Sequence, residues 1–158
     1  MGLIPDDFAK VPLGTFNESA CSPAVPSGSW DGVRIDAPRQ ITLDVGDPVM
    51  LPICGYYLVP VLSAMDDSRL IVELTRAADG KLLRGILHEE GENEPDEPPP
   101  DDAPELSRES LQGVSTGGYF NIDAQRYLAE SLEPDRYAVV VIYAGMRSNP
   151  VQVEIIRR

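Results

Sequence analysis

The chain holds one histidine and two cysteines in 158 residues, and its carboxylates crowd into one stretch. His88 stands beside Glu89 and Glu90, which favour its charged form. Acid–base catalysis from His88 requires a nucleophile within hydrogen-bond reach. Ser115 and Thr116 follow in sequence, within GVSTGG. That run has neither the GxSxG elbow of a nucleophilic serine nor the lysine of a phosphate loop. Glycoside hydrolysis needs two acids facing across a cleft. Here the acids sit among prolines, a poor frame for a preorganised pair. The residues therefore read as a non-enzyme, with no catalytic set, no cofactor and no metal site.

From Glu89 to Glu109 ten acids stand against one base, Arg108. Glu89, Glu90, Glu92, Glu94, Asp96, Glu97, Asp101 and Asp102 form the dense part, interleaved with Pro95, Pro98, Pro99 and Pro100. Like charges repel and proline blocks regular structure, so residues 88–112 are expected to form a long solvated acidic loop. The acids do not follow the alternating spacing of a calcium loop. They are the first candidate partner-binding surface, suited to a protein with a basic face. The Tyr56–Tyr57 pair is the second, because tyrosine joins an apolar ring to a polar tip.

The whole chain has 26 acidic and 13 basic residues, for a net charge of −13. Nucleic-acid binding needs a basic footprint, and none is present. No apolar run approaches the length of a membrane span, and the first residues lack the pattern of a signal sequence. No membrane insertion is expected. The spacing of Cys21 and Cys54 is not that of a metal set. The two form a disulfide or stay as separate buried thiols. A loop-rich N-terminal segment favours the disulfide, which would place the chain outside the cytoplasm.

The elements that position these residues read mostly as strands. Fifteen prolines and 13 glycines suit a loop-rich β protein. Residues 1–30 are an irregular arm, broken by prolines, with a short strand near Val11–Phe16 and with Trp30 as a core anchor. Val33 and Ile35, then Ile41, Leu43 and Val45, alternate as strands. Pro52 demotes the next run to an edge or a bulge, and Pro60 marks an exposed edge of the run after it. Asp79–Gly80 suggests a two-residue hairpin turn, pairing Thr75 with Arg84 and Val72 with Leu87. Phe120 and Ile122 lie on a short inward-facing strand. Asp123 caps a helix over Ala124–Ser131.

The last quarter is the clearest. Tyr137, Val139, Val141 and Tyr143 alternate, as do Val151, Val153 and Ile155. A short loop at Ala144, Gly145 and Met146 joins them and sets Val139 opposite Val151. Val140 and Ile142 leave the other face apolar, to be covered by a helix, a loop or a partner. The turn Leu132–Arg136 leading into Tyr137 resembles the tyrosine corner of bacterial immunoglobulin-like and fibronectin-type domains, and Ser148–Asn149–Pro150 is similar to the entry to their last strand. The resemblance implies a structural Tyr137 whose phenol bonds to the preceding turn.

The expected fold is all-β: an immunoglobulin-like antiparallel β-sandwich over 31–158, with one short helix and the acidic loop inserted. The expected function is a non-catalytic protein-binding or structural module of a larger, bacterial assembly. Two other readings stand beside it. One is an acidic inhibitor or immunity-type protein that blocks a basic cleft. The other is a carbohydrate, calcium or hydrolase module using surface acids and Tyr56–Tyr57. Fold alone permits all three.

Overall fold

The computed structural model describes residues 13–19, 21–23, 31–67, 69–87 and 109–158. Trp30, His88, the stretch Glu89–Asp102 and the front of the expected Val11–Phe16 strand lie outside them. In chain order the elements are β1 (Gly32–Asp36), β2 (Gln40–Leu43), β3 (Pro52–Pro60), helix α1 (Val61–Asp66), β4 (Leu70–Arg76) and β5 (Leu82–Leu87). After a 3-10 turn at Glu109–Leu111 come β6 (Ser115–Asp123), a second 3-10 turn (Ala124–Tyr127), β7 (Arg136–Tyr143), β8 (Met146–Arg147) and β9 (Val151–Arg157). The protein is therefore mostly β.

The strands form two sheets. The smaller runs β1-β3-β6; the larger runs β2-β9-β7-β4-β5, with β8 on β7. All pairs are antiparallel except β2 with β9, whose parallel pairing departs from the expected all-antiparallel arrangement. Period-two alternation sends one set of side chains from each sheet into a single shared core. Val33, Ile35, Ile53, Phe120 and Ile122 come from the smaller sheet. Val72, Leu74, Val139, Val141, Val153 and Ile155 come from the larger.

The β7–β9 register sets Val139 on Val151 and Tyr137 on Val153, as their alternation predicts. Ala144 (φ 52°) and Gly145 (φ 77°) form the two-residue turn between Tyr143 and Met146. Both positions need positive φ in such a turn. For Ala144 that conformation costs roughly 1–2 kcal/mol. Tyr137 is fully buried, and its hydroxyl donates to the Glu133 carbonyl at 2.6 Å and accepts from the Glu133 amide at 3.1 Å.

Several local expectations are corrected. Pro52 and Pro60 do not mark an edge. They are the end residues of β3, the middle strand of its sheet, where β1 pairs only Cys54–Leu58. Proline is tolerated at a strand end, where a missing amide breaks no interior ladder bond. The chain beyond Pro60 turns into α1 rather than continuing as strand. Val45 leaves its strand for a turn and is 82% exposed.

The β4–β5 hairpin pairs Thr75 with Leu82 and Val72 with Gly85, two residues from the expected register. Four residues, Ala77–Gly80, make its turn, closed by the Gly80 amide on the Arg76 carbonyl at 2.8 Å. A slip of two keeps every side chain on its face. The observed register sets buried Leu83 against Leu74 instead of against Arg76. Gly85 then lies beneath the second 3-10 turn, where a Cβ would come within 2.5 Å of the Tyr127 carbonyl. That turn ends at Tyr127, not Ser131, although Asp123 caps it by accepting from the Gln125 amide.

Replacing Tyr137 with Phe keeps the ring and leaves the Glu133 backbone groups without their partner. The expected loss is about 1–3 kcal/mol. Urea unfolding should show a lower midpoint at unchanged slope.

Candidate binding surfaces

Strand alternation decides where the two tyrosines go. Tyr57 points to the core side and packs on Tyr143, ring centroids 4.6 Å apart. Tyr56 points to the opposite side of the small sheet and packs on its cross-strand neighbour Tyr119 at 4.8 Å. Adjacent residues on a strand cannot share one face, so the expected Tyr56–Tyr57 surface does not exist as a unit. The outward row is instead Arg34, Tyr56 and Tyr119, paired across β1, β3 and β6. Burial, then the charge of Glu18 and the neighbouring Tyr56, push the Tyr119 phenol up.

Beside this row the N-terminal segment is fastened to the same sheet. Cys21 and Cys54 form a disulfide, with Cα atoms 5.9 Å apart. Closing a loop of this length contributes about 3–4 kcal/mol in the chain-entropy account. Asn121, fully buried on β6, holds the rest. Its amide nitrogen donates to the Asn17 carbonyl at 2.7 Å and to Thr15 Oγ1 at 3.0 Å. Its Oδ1 accepts from the Ser19 hydroxyl at 2.9 Å. A buried amide needs such a set of partners. Sequence reasoning missed Asn121, because its partners lie about a hundred residues away and nothing local announces them.

The outer face of the large sheet carries Val140 and Ile142, both half-buried. Ile142 and half-buried Ile86 flank Ile71, which is 3% exposed, and Leu82 is 55% exposed. Glu73 lies opposite Val140 and between two cations: Arg147 at 3.3 Å and Arg84 at 3.8 Å. Arg69 binds Asp67 at 3.1 Å and draws that carboxyl down, chiefly through the side-chain hydrogen bond. Ile86, Ile71 and Ile142 thus form one apolar row, and the next row, Arg84, Glu73 and Val140, sets an ion pair between it and Leu82.

Hollows in the described surface are shallow. One of about 200 Å³ lies along β5, lined by residues that include Leu82, Leu83, Leu128 and Ala129. Another, of about 310 Å³, lies against Arg34, Ile35, Asp36 and Asn149. Among the described residues no three His, Cys, Asp or Glu converge as a metal set, and no helix is long and apolar enough to cross a membrane. Ser115 opens β6, and its hydroxyl lies 3.5 Å from an Asp31 carboxylate oxygen. No family model, no curated protein and no solved structure matches the chain.

Lys81 donates to both carboxylate oxygens of Glu130 at 2.9 Å, and that hydrogen bond chiefly holds Glu130 below the usual glutamate range. A depressed carboxyl adds stability above its unfolded pKa and loses it as pH falls through the folded one. The pair is solvent-exposed, so the effect is small. NMR titration should find Glu130 ionising at lower pH than an ordinary glutamate. Lys81→Met should move it back up.

Proposed function

We propose that the chain is an immunoglobulin-like, non-catalytic module that binds another protein or forms one part of a larger assembly. Support for the fold comes from the strand order, the parallel β2–β9 pair and the Tyr137–Glu133 contact, the arrangement expected of a tyrosine corner. Support for the location comes from the Cys21–Cys54 disulfide, since such bonds persist in oxidising compartments. The observation that carries the binding reading is the outer face of the large sheet. Ile86, Ile71 and Ile142 form an apolar row there, flanked by Val140 and the Glu73 ion pairs with exposed Arg84 and Arg147. Apolar patches edged by polar groups mark interfaces.

The acidic stretch favours a second reading. Ten acids against one base between Glu89 and Glu109 suit an inhibitor that occupies a basic cleft. Such a complex forms fast and weakens with salt.

Three baits separate the two readings: the intact chain, a chain lacking Glu92–Asp101, and Val140→Glu, each first checked for an unchanged thermal transition. The module reading expects one partner that survives the deletion and high salt and is lost with Val140→Glu. A partner lost on deletion and released by salt supports the inhibitor. Capture of nothing at either salt contradicts both.

A further inference from the structure

Two sheets have four edge strands, here β1, β6, β2 and β5. An edge presents a row of backbone donors and acceptors, and folded proteins close such rows or keep them short. The Asn149 side chain closes β1. Its Oδ1 accepts from the Ile35 amide at 2.9 Å and its Nδ2 donates to the Ile35 carbonyl at 3.1 Å, the two bonds a neighbouring strand would make. Gly14 and Thr15 close β6 at Asn121 through backbone bonds of 2.7 and 2.9 Å, and the rest of that edge opens on Gly117 and Gly118, which offer no side chains to grip a partner. β2 is four residues long. β5 has six residues and no proline, and among the described residues no strand lies beyond it. The hollow of about 200 Å³ beside it, with Leu83 and Leu128 in its wall, has room for one aliphatic side chain.

The cations near this edge are already engaged. Lys81 is on Glu130, and Arg84 and Arg147 are on Glu73. The sign of an incoming segment is therefore set by the chain as a whole, with its net charge of −13. A second copy is the wrong occupant. Two-fold antiparallel pairing of β5 that keeps both outer faces together and overlaps five of its six residues sets either Arg84 opposite Arg84 or Gly85 opposite Gly85. The first opposes like charges directly. The second sets two chains of the same large negative charge against each other.

We infer that the outer edge of β5 is a strand-addition site for an extended, basic segment of a partner protein, with lysine or arginine alternating with aliphatic residues. Backbone bonds along Leu82–Leu87 give the affinity, and the hollow at Leu83 and Leu128 receives an aliphatic side chain. The inference rests on the protein-binding reading and adds to its outer face the strand edge that borders it.

The test uses the full chain and three capped peptides: (Val-Lys)4, the same peptide with every lysine N-methylated, and (Val-Glu)4. Binding is read by fluorescence anisotropy, and amide exchange by mass spectrometry. The expected result is binding of (Val-Lys)4 with slowed exchange in residues 82–87. N-methylation should weaken it by at least about tenfold, since it removes backbone donors and leaves the charge. The acidic peptide should not bind. Equal binding of the N-methylated peptide, protection outside 82–87, or no binding of (Val-Lys)4 would each overturn the inference. None of these touches the module reading, which stands or falls on the Val140→Glu bait.

Discussion

The constraint on which the structure depends is the position of β7. It is the middle strand of the large sheet, with β9 on one side and β4 on the other. A strand held on both sides cannot slip by one residue without exposing its whole inner face, and any slip must break two ladders. Tyr137, Val139 and Val141 fill the centre of the core from that strand and are fully buried. Their partners are fixed in turn: Leu74 and Val151 on Val139, Val72 on Val141, Val153 and Arg76 on Tyr137. The turn at Glu133 is tied to the same strand by the Tyr137 hydroxyl.

From β7 the order spreads to the small sheet through one short step. Ser148 bonds back to Val141 through its amide and its hydroxyl, at 2.8 and 2.9 Å. Asn149, next in the chain, bonds across to Ile35 of β1. Two consecutive polar residues thus join the two sheets where the backbone of neither continues. On the far side of the small sheet, Asn121 and the Cys21–Cys54 disulfide do the same for the N-terminal segment. Buried backbone groups and buried amides need partners, and these side chains supply them where no strand does.

What was legible in the sequence follows from this. The β7–β9 pairing could be read because its period-two signal is unbroken over seven residues and the joining turn holds Gly145. The β4–β5 register could not, because Asp79–Gly80 suits turns of two lengths and the two registers have the same parity. Prolines at both ends of β3 looked like edge markers, since sequence does not say which strands will add outside them. The sequence shows only the second half of β6, because its first half holds Gly117 and Gly118, which carry no alternation. Tyr56 and Tyr57 were visible as candidates, yet adjacency itself sends them to opposite faces. The bonds of Asn121 and Asn149 have no local signature, because their partners lie more than a hundred residues away in sequence. The acidic stretch was legible as charge, and charge bears on association rather than on fold.

The surfaces proposed for partners lie away from the core side of β7: its outer face over Val140 and Ile142, and the edge beyond β5. Native-state hydrogen exchange tests that division most directly, because it reports the free energy of opening strand by strand. Amides of β7 paired to β4 and β9 should exchange only through global unfolding, with an opening free energy equal to that from urea denaturation. The outward amides of β5 should exchange with little protection. Exchange of the β7 amides through a local opening well below the global value would contradict the account.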